Sequence, residues 1–227
     1  MSAPAVASSP EPRRDASAVG DLPARLPFLD ARAKARAVLA IKAFEAQTSA
    51  ELVVTVKKRA GSYPEVHVFF GAVLAFLTLL FLLFFPIDFK TALMPVDTVV
   101  AFAAGYGLSR MLPPLQRLAL SETKRRVVVE QAAKAAFFDL GVSKTTARTG
   151  LLVHVAMFEG LVTIVLDAGI TPEARMAAEG SRAALEQALA RLDIRAFAET
   201  LERLGGVFAA TMPRSEDDVN ELADDIA

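Results

Sequence analysis

The sequence predicts an α/β protein in which a small sheet lies between helices, an α/β/α sandwich, with a two-helix transmembrane hairpin inserted into it. Three observations carry that expectation. Residues 66–85 form an apolar run whose only polar side chains are His67 and Thr78, about the 20 residues that a helix needs to cross a bilayer core. A second, weaker apolar run follows at 92–112. Around the pair, short β-branched runs at 51–56, 151–156 and 161–167 alternate with amphipathic stretches, and their near-continuous hydrophobicity requires cover on both faces.

Taken in order, residues 1–27 are rich in Pro, Ala and Ser and bury too little apolar surface to order themselves. At 28–47, Ala33, Ala37, Ile41 and Phe44 step one helical turn apart, with Arg32, Lys34, Arg36 and Lys42 elsewhere around the wheel, so an amphipathic helix opens the first part of the soluble domain, 28–60. Thr48-Ser49-Ala50 ends it, and ELVVTV at 51–56 reads as a buried strand. The hairpin occupies 66–112. Asp97 and Arg110 stand near the two ends of its second run, placed for opposite head-group layers with Arg110 snorkelling outward; the alternative for that run is a buried helix of a soluble core.

The second part of the soluble domain spans 115–212. One long helix is expected over 115–140, closed by Gly141 at its C-terminal cap. Strands at 151–156 and 161–167, four residues apart, form an antiparallel hairpin. Thr171-Pro172-Glu173 is a helix start of the expected kind, running to about 192, and Asp193 caps a last helix whose Ile194, Phe197, Leu201, Leu204 and Phe208 share one face and whose final turns Gly205-Gly206 weaken. The tail, 213–227, is acidic, a frayed end or a docking segment for a basic partner.

Charge gives the orientation. Lys57, Lys58 and Arg59 precede the first run and Arg110, Arg117, Lys124, Arg125 and Arg126 follow the second, against Lys90 alone at the tip, which puts both termini in the cytoplasm and makes this a multi-pass protein of the cell inner membrane. No signal peptide opposes that topology, and the absence of cysteine fits a reducing compartment. A net charge of −1 without a basic aromatic stripe argues against nucleic acid. Lys124, Arg125 and Arg126 read as a lipid-surface contact, with a solvated helix face as the plain alternative.

Chemical motifs are few: no phosphate loop, HExxH, nucleophile elbow or cysteine cluster occurs. His154 sits mid-strand and reads as a core histidine, and His67 as a residue of the membrane boundary. Acids at strand ends are the better candidates, because carboxylates there can converge outside a sheet on a divalent cation such as Mg²⁺ or Ca²⁺. Glu51 opens the first strand and Asp167 closes the third, and these two are the candidate catalytic and metal-binding residues; Ser49, Arg148, Thr149 and Glu159 are the candidates for the lining of the same cleft.

Three strings resemble the TPM-domain family. FEAQTSAELVV at 44–54 is similar to its opening E-x-x-T-S-G-E-I-V-V, RTGLLV at 148–153 to its R-T-G-V-L-I, and VTIVLDAGI at 162–170 to its V-E-I-V-A-D-R-G-I. The resemblance implies a TPM-like α/β/α sandwich, commonly membrane-tethered, with relatives linked to acid phosphatase activity, to assembly or repair of membrane complexes, and to an auxiliary role beside a receptor channel. Two departures stand out: relatives with a cation site carry Asp-Asn-Gly where this chain has Arg148-Thr149-Gly150, and relatives of this branch carry Glu-Arg-Arg where it has Glu159-Gly160-Leu161. The functional expectation is a membrane-anchored interaction domain supporting a membrane protein complex, without catalysis; the alternative is a divalent-cation-dependent phosphatase at the membrane surface. Transport by two spans with one marginal acid, Asp97, is a weaker third.

Overall fold

The computed structural model describes residues 30–86, 90–214 and 221–222. The expected disordered opening at 1–27, part of the link between the apolar runs and most of the acidic tail lie outside the described residues. Helix α1 (Ala31–Glu45) starts where the Asp30 carboxylate accepts from Arg32 N at 2.9 Å, and buries Ala33, Ala37, Ala40, Ile41 and Phe44. Strand β1 (Glu51–Lys57) follows, then two apolar helices, α2 (Pro64–Phe84) and α3 (Met94–Met111), then α4 (Pro113–Ala119) and α5 (Glu122–Asp139). Strands β2 (Gly150–Ala156) and β3 (Leu161–Leu166) come next, and α6 (Pro172–Ala190) and α7 (Ile194–Thr211) close the described fold.

The protein is therefore mixed α/β, with one three-stranded sheet among mostly helical structure. Strand order is β1-β2-β3. β1 runs parallel to β2 in the register Leu52↔Leu151, and β2 antiparallel to β3 in the register Leu151↔Leu166. Everything between β1 and β2, the apolar helices included, is an excursion from the end of one strand back to the start of its neighbour. Leu52, Val54 and Val56 with Leu151, Val153 and Val155 face α1, α6 and α7 in the main core. The opposite face is covered by α5: Val53 and Leu152 meet Phe137, and Ala156 and Leu161 meet Val129. Cover on both faces holds for β1 and β2 but not for β3, whose residues 163–166 are half-buried.

One correction concerns the helices. The continuous helix expected over 115–140 is broken: Leu120 is extended (φ −93°, ψ 121°), and the Ser121 hydroxyl caps α5 by accepting from Lys124 N. Gly205 also admits α1 against α7, since a Cβ there would stand 3.0 Å from Phe44 Cα; next to it the Phe44 and Phe208 rings pack at 5.2 Å. The cap residues Gly141 (φ 70°), Thr171 and Asp193 lie where local chemistry puts them.

Helix α2 and the helical stretch Thr91–Met111, which is α3 with the short 3-10 turn before it, are each long and apolar enough to cross a membrane. Of their side chains only Val66, Leu82 and Ser109 are buried, so neither is a core helix of the sheet domain. They cross through small residues: a Cβ on Gly105 would lie 2.6 Å from the Phe70 carbonyl oxygen and 3.1 Å from Gly71 Cα.

Candidate functional site

The strand register sets Glu51, Gly150 and Asp167 side by side at one end of the sheet, on the face that α5 covers. Two strand spacings separate the acid-bearing backbones, about 10 Å. The place between them is filled, because a Cβ on Gly150 would lie 2.3 Å from the Val142 carbonyl oxygen: the turn Val142–Lys144 packs its backbone onto the glycine.

Each acid is engaged by the chain itself. Asp167, 4% exposed, accepts at Oδ1 from Arg148 Nε (3.0 Å), Arg148 Nη2 (2.9 Å) and Ala168 N (2.7 Å), and its carbonyl accepts from Arg175 Nη2 at 3.0 Å. Arg148 reaches it from a left-handed backbone, φ 55°, and is itself mostly exposed. Asp167 Oδ2 is buried with no hydrogen-bond partner. Glu51 Oε1 accepts from Glu221 N at 3.1 Å. The Glu221 carboxylate accepts in turn from Thr146 N (2.9 Å) and Thr146 Oγ1 (3.1 Å), and Leu222 packs against the cluster of Val53, Phe137, Val142 and Leu152. At Glu221 and Leu222, then, the acidic tail docks on its own domain. Ser49 and Thr149 knit the same end: Thr149 Oγ1 donates to Ser49 O at 3.1 Å, and Ser49 N donates to Met212 O at 3.1 Å.

This donor set does not fit a divalent cation. A guanidinium already holds one acid, a backbone amide binds the other, and among the described residues no group of three or more His, Cys, Asp or Glu could hold a metal.

Glu159, read with Ser49, Arg148 and Thr149 as one cleft, does not join them. It follows β2, whose seven residues put it at the far end of the sheet, roughly 23 Å away at 3.3 Å per residue. There it is fully buried: its carboxylate accepts from Ala60 N (3.1 Å) and Tyr63 OH (2.9 Å), and its carbonyl from Arg125 Nη1 (2.7 Å). Burial, then the hydrogen bond to Glu159 and its charge, push the Tyr63 phenol far above its ordinary value. Arg59 lies over the Phe158 ring, 3.9 Å from its centroid, and donates to Gln116, which donates to Ser109 O at 2.6 Å. This joint between the sheet and the apolar helices was not read from the sequence. Its one signal is Tyr63, one of only two tyrosines, set just before the proline that starts α2.

The basic triplet divides. Lys124 pairs with Glu65, Arg126 with Glu122 (2.8 Å) and Glu186 (3.3 Å), and only Arg125 turns inward to Glu159. His154 lies 2.7 Å through Nδ1 from Thr55 Oγ1 within the sheet, its Nε2 buried without a partner. Burial and the Lys57 charge hold its imidazole below the usual range, against a smaller opposing effect of Glu159.

No protein-family model and no curated protein matches the chain. Among solved structures it is similar to the NMR structure of the BA42 protein from the psychrophilic bacterium Bizionia argentinensis, with a TM-score of 0.53 and 19% identity over 88% of this chain and 94% of that one. At that identity the likeness bears on fold alone.

Proposed function

We propose that the chain is an interaction domain of TPM-like α/β/α architecture, anchored in the cell inner membrane by the α2–α3 hairpin with both termini in the cytoplasm, which supports assembly or stability of a membrane protein complex without catalysis. The observation that carries this reading is the state of the strand-end acids: the Arg148 guanidinium sits on Asp167 Oδ1, and the Glu221 amide sits on Glu51 Oε1. The hairpin supports the anchoring part, since apolar side chains such as Phe69, Phe76, Leu83, Val99 and Val100 are more than half exposed among the described residues.

One observation favours the hydrolytic alternative: Asp167 Oδ2 is buried with no hydrogen-bond partner, an unusual state for a carboxylate oxygen. The test assays the detergent-purified full chain for hydrolysis of a phosphomonoester, with and without Mg²⁺ or Ca²⁺, beside Asp167→Asn. The expected result is equal inactivity in both, together with a discrete adduct to another membrane protein when a photo-crosslinking residue replaces Phe76 in native membranes. Cation-dependent turnover that Asp167→Asn abolishes would overturn the reading.

A further inference from the structure

We infer that the groove between α4 and the β2–β3 turn binds the phosphate of an anionic membrane lipid between the guanidinium groups of Arg117 and Arg125. The groove, about 600 Å³, is lined by Pro113, Pro114, Arg117, Leu118, Arg125 and Phe158. The inference rests on the reading that the α2–α3 hairpin spans the bilayer, because that reading sets this groove at the level where both helices leave the membrane.

Three features give the groove its chemistry. Its cations are free for a ligand: Arg117 makes no hydrogen bond or ion pair among the described residues, and the Arg125 guanidinium spends only Nη1, on the Glu159 carbonyl. The two converge on one turn, since Arg125 bonds Glu159 O and Arg117 Nη2 lies over Gly160, where a Cβ would stand 2.7 Å from it. Two guanidinium groups with unspent N–H donors form a fork suited to phosphate oxygens.

Acids do not compete. The Glu159 carboxylate points away, to Ala60 N and Tyr63 OH, and the nearby Glu65 is paired with Lys124. With no acid to receive a choline or ethanolamine group, the groove selects a headgroup with net negative charge over a zwitterionic one. Finally, the rim is apolar where an acyl chain would leave: Leu118, which lines the groove beside Pro113, Pro114 and Phe158, is 85% exposed. A soluble anion would have no use for that rim.

The full chain, purified in mild detergent, is incubated with phosphatidylglycerol, phosphatidylcholine or inorganic phosphate, and bound lipid is counted by native mass spectrometry. Wild type is expected to retain one phosphatidylglycerol in preference to phosphatidylcholine, with inorganic phosphate unable to displace it. Arg117→Gln with Arg125→Gln is expected to lower retention at least about tenfold, each basic residue near a lipid surface being worth about fivefold. Arg32→Gln with Lys34→Gln removes as much charge from α1, none of whose residues lines the groove, and is expected to leave retention unchanged. Arg117→Gln alone, which touches no structural hydrogen bond, keeps the test valid if the double variant misfolds. Equal loss in both double variants, equal retention of the two lipids, or ready displacement by phosphate would overturn the inference. Alkaline extraction of native membranes separates this failure from that of the hairpin reading: a chain that resists extraction yet shows no lipid preference refutes the groove alone, and a chain released by it refutes the hairpin and the groove together.

Discussion

Replacing Arg148 with alanine isolates the contact that closes the acid end of the sheet. The guanidinium gives two hydrogen bonds, 3.0 and 2.9 Å, to a carboxylate oxygen of a residue that is 4% exposed. Hydrogen bonds to a charged group contribute about 1.5–3 kcal/mol, but the Arg148 side chain is 60% exposed, so solvent screening pulls the figure down. Asp167 also keeps its Ala168 N–H bond. The loss for Arg148→Ala is then about 2 kcal/mol. Arg148→Gly loses the same bonds but relieves the positive φ of 55°, which costs a non-glycine residue about 1 kcal/mol, so the glycine variant should be the milder of the two by that amount. Thermal unfolding of the full chain in detergent, followed by near-ultraviolet circular dichroism, should show the alanine variant melting roughly 4–8 °C below wild type. In the Asp167→Asn background the same Arg148→Ala change should have less than about half that effect, because its partner's charge is gone. Equal melting of wild type and Arg148→Ala, or an undiminished effect in the Asn background, would refute the argument that this pair closes the site.

Three further expectations follow from other contacts. Phe208→Ala removes a fully buried ring that packs on Phe44, and should destabilise the protein by about 3–5 kcal/mol, read as a fall in the unfolding midpoint; a loss below about 1 kcal/mol would mean that α7 does not seal the core. His154 is held below its ordinary pKa in the folded state, so the unfolded chain takes up more protons; stability is complete above about pH 6.5 and falls as pH drops from there, by at most about 1.4 kcal/mol per pH unit, and His154→Gln should flatten that part of the profile. Gly105→Leu should force α2 from α3, and since the chain has no cysteine, a short thiol crosslinker between His67→Cys and Ser109→Cys reports it: crosslinking should be efficient with Gly105 and fall sharply with Leu, whereas unchanged crosslinking would contradict the crossing.

Local chemistry made most of the elements legible. Thr171, Asp193 and Gly141 act within three residues of the ends they cap, so their effect is written in the adjacent sequence. The break at Leu120 was hidden because one serine hydroxyl at 121 decides it inside an otherwise helical pattern. The packing role of Gly205 was hidden for a related reason: a glycine that loosens a helix and one that admits a neighbouring helix look alike until Phe44 is known to lie against it. The strand-end acids were found because strand ends are visible in hydrophobic patterning, but their occupants were not. Arg148 reaches Asp167 across 19 positions only once β2 and β3 are in register, and Glu221 reaches Glu51 across 170. Ser49, Arg148, Thr149 and Glu159 looked like one cleft because each adjoins a strand end, and the sequence does not say which ends share a side until the parallel pairing of β1 with β2 is known.

That parallel pairing has a further consequence for where chemistry and anchoring lie. A chain that leaves β1 at Lys57 and must start β2 at Gly150 departs from one end of the sheet and returns to the other, so α5 has to carry it back along the whole sheet. The apolar helices leave from the Lys57 end, and the β2–β3 turn with Glu159 is at that same end. Glu51 and Asp167 stand at the opposite end, roughly 23 Å off along the seven-residue strand. With the hairpin in a bilayer, the acids stand at the end of the sheet opposite the one from which the apolar helices leave. A reaction on lipid would need groups beside Tyr63 and Arg125, whereas a partner that binds at the acid end must first displace Glu221 and Leu222, the chain's own segment, from the place it occupies there. Removing the residues after Arg214 should therefore change binding at the acid end and leave lipid retention at the arginine groove as it was; a change in the groove alone would show that the two ends are coupled through α5.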